Sequence, residues 1–232
     1  MNATSQVSIE MNLTAVSISR DPKRLDVQVP FYCHTHGWRP SLGRDNADIV
    51  RLRYITDRYN AAIEKALEIH PATDHVLIID SYYLHFAPEV ATLISHYQSG
   101  WMLGASIWQE NKQYLRPTVS YYDTMSVHEF VGKYWRKNDL PRGLIPVSGV
   151  GACWIFPLKA WQNSDGFQVK TNPYEMMTSR CIDGVSLGLK TILDCDVKLW
   201  RTPEDNPDIP SYSAWKRLVM SIGVWRRKIK AR

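Results

Sequence analysis

Cysteine is scarce in this chain, and none of it is paired by spacing. The four cysteines among 232 residues, Cys33, Cys153, Cys181 and Cys195, form no C-x-x-C. That argues against a zinc cage or a small disulfide framework, and makes a reducing compartment the expectation. No run of ~18 uninterrupted apolar residues is present, so no segment reads as a bilayer span. No basic region followed by an apolar run and a small-residue cleavage site opens the sequence, so no secretory leader is read either. A dinucleotide fingerprint is also missing: Gly149-Val-Gly151 continues as Ala-Cys-Trp, not as G-x-G-x-x-G opening a helix. Together these absences leave a cytoplasmic protein as the expectation.

Phenylalanine is sparse as well, with 5 residues against 9 Trp and 12 Tyr. Amphipathic aromatics of that kind suit sugar faces, nucleobases and membrane interfaces, although most fill cores. Acid is absent from one stretch. Residues 215–232 carry Lys216, Arg217, Arg226, Arg227, Lys228, Lys230 and Arg232 and no carboxylate. Without those seven charges the net +5 becomes −2 for the rest, so the body is mildly acidic. A nucleic-acid face spread over the fold is therefore not expected.

The pattern along the chain alternates strands and helices. Strands are expected at 13–19 and 26–34, then a helix from Asp48 to about Leu67 on the spacing of Ile49, Leu52, Ile55, Tyr59, Ile63 and Ala66. The run His-Val-Leu-Ile-Ile-Asp80 is continuous rather than alternating, as in a strand buried on both faces of a parallel sheet. Pro88 opens a helix that Gly100 closes, and strands follow at 101–108 and 118–122. A helix over 126–136, an apolar stretch over 144–156, a helix over 174–189 and a strand over 191–200 complete the body. Pro203, Pro207 and Pro210 mark 202–214 as a linker. Trp215, Leu218, Val219, Ile222, Trp225 and Ile229 form one apolar stripe of a basic terminal helix, suited to an anionic membrane surface. The expected organisation is one α/β domain over 1–201, the linker, and the helix over 215–232.

Four spots carry chemistry. Asp80-Ser-Tyr82 ends a buried strand, where open α/β sheets bind ligands, and a carboxylate there can hold a hard divalent cation; a turn-capping Asp is the structural alternative. Arg58 and Asn60 lie in the preceding helix and can grip a nucleotide, or belong to a solvated face. Gly149-Val-Gly151 permits close backbone approach, or marks a bulge. Asp183 can serve as a general base or simply complement a helix N-terminus. Asp194-Cys-Asp196 tempts as a metal motif but is discounted, because alternation would turn both acids to one face of a strand.

In their order and spacing these spots resemble the GT-A-fold glycosyltransferases, in particular the family 2-like inverting enzymes. The matching residues are Arg58-x-Asn60, the strand ending Asp80-Ser-Tyr82, the glycine-bearing strand 147–156 with Trp161, and Ile182-Asp183 through Asp196. The resemblance spans about residues 27–200 in short motifs. It implies a single GT-A-like, Rossmann-like domain with a central, mostly parallel mixed sheet flanked by helices. It further implies a nucleotide-sugar donor bound by Thr35, Arg58, Asn60, Asp80 and Tyr82, Mn²⁺ or Mg²⁺ at Asp80, and Asp183 as the catalytic base. The acceptor would be a glycan, a lipid-linked molecule or a protein. Tyr82 replaces the second acid of the family motif, and no histidine follows the last strand near Trp200. A non-catalytic adaptor built on the same fold, or a membrane- or nucleic-acid-associated binding protein, is the competing reading.

Overall fold

The structure is a computed structural model that describes residues 11–19, 21–35, 47–111, 118–121, 142–147, 149–168 and 182–201. The elements expected at 126–136, 202–214 and 215–232 lie outside the described residues, as does most of the helix expected over 174–189.

Eight strands form one sheet among the described residues: β1 (Leu13–Ser19), β2 (Phe31–Thr35), β3 (His75–Ile79), β4 (Trp101–Asn111), β5 (Thr118–Tyr121), β6 (Leu144–Pro146), β7 (Cys153–Pro157) and β8 (Lys190–Arg201). Three α-helices accompany them among the described residues: α1 (Ala47–Ile69), α2 (Ala87–His96) and α3 (Leu158–Asn163). The order is β2-β1-β3-β7-β4-β8-β6, with β5 paired to the far end of β4. The α/β class is as expected, but the sheet is less parallel than the sequence suggested. Parallel pairing joins β1 to β2, β1 to β3 and β4 to β8. The pairings of β7 with β3 and β4, of β5 with β4 and of β6 with β8 are antiparallel. Inserting β7 between β3 and β4 interrupts the parallel strands, and β5 and β6 add antiparallel pairs at β4 and β8.

Each face of the sheet has its own core. Val16, Ile18, Val76, Ile78, Trp154 and Phe156 pack against Tyr59, Ala62, Ile63 and Ala66 of α1. Leu77, Ile79, Cys153 and Ile155 pack on the other side against Tyr83 and against Val90 and Leu93 of α2. Burying each large aliphatic in β3 contributes about 1.5–3 kcal/mol, and no polar residue interrupts them. The continuous run of β3 is thus buried on both faces, as its sequence indicates.

Several boundaries differ from expectation for local reasons. β2 starts at Phe31, not at residue 26, because Pro30 enters the sheet edge only through its carbonyl, which accepts Ala15 N–H at 2.8 Å. The stretch 144–156 is two strands: β6 lies against β8, and the chain then crosses through Gly149 and Gly151 to reach β7 beside β3. Residues 182–189 form a turn rather than the end of a helix. The Asp183 carboxylate accepts Ser186 N–H at 3.0 Å, and Gly188 N–H reaches Val185 O at 2.9 Å with Gly188 at φ 65°. Local carboxylate-to-backbone bonding of this kind competes with helix formation.

Candidate functional site at the carboxyl edge of the sheet

The strand order reverses at β1. From β1 the chain moves to β2 on one side, then passes through α1 to β3 on the other. The crevice outside the carboxyl ends of such neighbouring strands is where open α/β sheets bind ligands. Asp80 stands there, immediately after β3.

Asp80 is held by its backbone on two sides. Its N–H donates to Ala152 O at 2.7 Å, and its carbonyl accepts Tyr83 N–H at 2.8 Å. A single turn of 3-10 helix, Ser81–Tyr83, follows it. Ala152, at the entry to β7, adopts φ 57°. A non-glycine residue in that region is uncommon and stores on the order of 1–3 kcal/mol. Asp80 itself is extended, so the alternation of Val76 and Ile78 carries its side chain to the α1 face. The buried Tyr59 hydroxyl of α1 senses it there. Burial raises that hydroxyl's pKa most, and the negative charge of Asp80 raises it further.

Arg58 precedes Tyr59. Its guanidinium lies 4.9 Å from the ring centroid of Tyr54, one turn earlier on α1, and its Nε is buried without a hydrogen-bond partner among the described residues. A buried cationic donor left unbonded is unusual, and an acceptor from a ligand would satisfy it.

The remaining expected residues divide between this edge and structural duties. Thr35 ends β2 and pairs with Ser19 across β1, so it shares the edge with Asp80. Alternation from Phe31 and Cys33 turns it to the opposite face from Asp80. Tyr82 packs against the α2-side core. Asn60 is engaged by the protein. Its Oδ1 accepts Trp161 Nε1 (2.9 Å) and Phe167 N–H (2.8 Å), and its Nδ2 donates to Phe167 O (3.1 Å). Gly166 is required beside it, since a Cβ there would stand 3.0 Å from Asn60 Oδ1 and the backbone has φ 87°.

Asp183 sits on the same side of the sheet. Its N–H donates to Ser164 Oγ at 2.6 Å, and Ser164 Oγ in turn donates to Ala160 O at 2.9 Å. Next to it, Gly184 lies directly on Met102 of β4, where a Cβ would come within 2.4 Å of Met102 Cε. Asn60 and Asp183 are therefore joined through the segment 160–167, which both of them bond. Asp183 is exposed.

Sequence reasoning missed this segment, although Ser164-Asp165-Gly166 is a turn signal. It also missed the role of Asp194. That carboxylate is 1% exposed and receives Asp196 N–H (3.0 Å) and Val197 N–H (3.2 Å) at Oδ1, with His96 Nδ1 at 2.7 Å from Oδ2. Asp196 is exposed and accepts Gly143 N–H at 3.0 Å. The two acids differ in exposure and in partners, and the ladder between β4 and β8 shifts there: Ala105 pairs with Asp194, and Ser106 with Lys198.

Among the described residues no three histidine, cysteine, aspartate or glutamate side chains gather as a metal site. Asp80 offers a single carboxylate. That fits a cation shared with the oxygens of a diphosphate and does not fit a cage of protein ligands. No protein-family model matches the chain, and no curated protein matches it.

Proposed function

We propose that the chain is a glycosyltransferase of the GT-A type that takes a nucleotide-activated sugar as donor. The observation that carries this reading is the placing of Asp80 at the strand-order reversal, facing the helix that bears the unbonded Arg58 donor. A crevice with a carboxylate, a guanidinium on an aromatic ring and a strained backbone corner suits a nucleoside diphosphate. Asp80 would hold Mn²⁺ or Mg²⁺, which would offset the negative charge that develops on the leaving group.

In this reading an acceptor hydroxyl oxygen forms a bond to the anomeric carbon, and the bond from that carbon to the diphosphate oxygen breaks. The proton of the hydroxyl passes to the Asp183 carboxylate. The electron pair of the broken bond leaves with the nucleoside diphosphate, beside which Arg58 offers positive charge. The acceptor is a glycan, a lipid-linked molecule or a protein. The basic terminal segment 215–232 brings the enzyme to an anionic membrane surface. Among the described residues no helix is long and apolar enough to cross a membrane.

One observation favours the adaptor reading. The amide of Asn60 is bonded to Trp161 and Phe167, which leaves it little capacity for a nucleotide. The two readings separate on Asp183→Asn. In an enzyme this variant loses sugar transfer by about 10²–10⁴-fold, as general-base removal does, while its melting temperature is unchanged. An adaptor has no transfer to lose.

A further inference from the structure

The shifted register of β8 places a cation and an aromatic ring across the sheet from Asp80. Leu77 of β3 and Leu103 of β4 both pair with Ile155 of β7. Three residues further on, Asp80 and Ser106 are level with each other, and Ser106 pairs with Lys198. Three strand spacings separate Asp80 from Lys198, roughly 14 Å at the backbone. Without the bulge Cys195 would follow Asp194 opposite Ser106. With it, three residues are looped out and Lys198 takes that position.

The loop is closed chemically. Asp194 receives Asp196 N–H and Val197 N–H and is backed by His96. The Ser106 hydroxyl donates to Val197 O at 2.7 Å, and Ser106 Oγ in turn accepts Trp108 Nε1–H at 3.2 Å. Trp108 stacks on Trp200, its ladder partner, with centroids 5.9 Å apart and planes at 30°. Met102 of β4 faces α1, whereas Leu103, Ala105 and Ile107 face α2. Ser106 and Trp108, and with them Lys198 and Trp200, therefore stand on the α1 face, the face of Asp80. Lys198 is exposed and Trp200 half-buried. Asp196, the nearest acid in sequence, is turned to Gly143 beside β6.

We propose that Lys198 and Trp200 form a second subsite for a ring that carries a phosphate, with the ring on the indole and the anion on the ammonium. Resting on the donor reading above, this makes the acceptor a phosphorylated sugar, seated across the entry to β7 from the donor at Asp80. Asp194 is the positioning residue, because its carboxylate closes the loop that sets where Lys198 stands.

The test is binding to nucleotide-free full-length protein by calorimetry, with glucose 1-phosphate and glucose as probes. A parallel arm uses phosphatidylcholine vesicles with and without phosphatidylinositol, which presents a ring and phosphate from a lipid. The expected result is binding of glucose 1-phosphate in preference to glucose, weakened about tenfold or more in Lys198→Ala and retained in Lys198→Arg. Selective binding of phosphatidylinositol vesicles that Lys198→Ala abolishes supports the same subsite with a lipid-borne source. Lys198 is exposed, so its variants test the site without disturbing the core. No preference for the phosphorylated ring in either arm, or an affinity unchanged in Lys198→Ala, overturns the proposal. Nucleoside diphosphate binding is read separately on the wild type and the same variants. Its absence for every nucleoside diphosphate in the wild type sinks the donor reading, whereas its presence without binding of the phosphorylated ring leaves the donor reading standing without this subsite.

Discussion

The side-chain amide of Asn60 bonds both backbone groups of Phe167, accepting its N–H at 2.8 Å and donating to its carbonyl at 3.1 Å. One residue of α1 thereby fixes a segment 107 positions later in the chain, and that segment in turn carries the anchor of Asp183 through Ser164. The link runs from helix packing to the placing of a candidate base, and it makes the site sensitive to a residue that touches no ligand.

Replacing Asn60 with Ala strands Trp161 Nε1 and the Phe167 amide among apolar neighbours. A loss of about 2–4 kcal/mol in unfolding free energy is expected from several bonds of this kind. Urea unfolding monitored by fluorescence measures it. A stability equal to wild type would mean that Asn60 is free for a ligand instead.

Gly104 admits Val150 to the face of β4. A Cβ at Gly104 would stand 2.5 Å from Val150 Cβ, so Gly104→Ala overpacks the core by about 1–3 kcal/mol. Val150→Ala removes part of the obstruction, and the double variant is expected to be less destabilised than the sum of the two singles. Strict additivity in that cycle would contradict the contact.

Asp194→Ala is expected to cost about 1–3 kcal/mol, since Val197 N–H is then buried without an acceptor. It should also loosen the register that pairs Ser106 with Lys198. Hydrogen exchange is the check: amides of 196–200 should exchange faster in the variant, while those of β3 stay protected. Equal protection throughout would mean that the bulge closes without its carboxylate.

Cys195 is 1% exposed, and burial first, then Asp194 and Asp196, push its thiol up to about 12 from 9.0. The folded form therefore stays protonated where the unfolded form ionises. Its contribution is fully present below pH 9 and is lost as pH rises from there toward about 12. Urea midpoints measured from pH 8 to 10.5 are expected to fall, and to fall less in Cys195→Ala. Identical slopes would remove Cys195 from the explanation. Cys153, also raised by burial, is expected to resist alkylation in the native state alongside it.

What could be read in the sequence was local. The bounds of β1, the both-sides burial of β3 and the stripe of α1 all follow from periods of two and 3.6 residues. Pairing across distance was not legible. Nothing in Cys153–Pro157 says that it inserts antiparallel between β3 and β4, because that choice is made by strands some fifty and eighty positions away. The bulge at Asp194 was hidden for the same reason: alternation assumes an unbroken ladder, and Asp194 breaks it by bonding its own backbone. Asp183 falls within the helix expected over 174–189, yet Ile182, Leu187 and Leu189 pack on the α1-side core from a turn. At the candidate site, Asp80 and Arg58 were accessible from strand and helix patterns. The duty of Asn60 was not, because its partners lie more than a hundred residues away.

The most direct test of the donor site is a thermal-shift screen of nucleoside diphosphates and nucleotide-sugars, each with and without Mn²⁺ or Mg²⁺. Ligand that binds only the native state raises its melting temperature by mass action. The account predicts a rise with one nucleotide, enhanced by the cation, and lost in Asp80→Ala and in Arg58→Ala. No rise with any donor at millimolar concentration, in protein that melts cooperatively, would contradict it and leave the adaptor reading in its place.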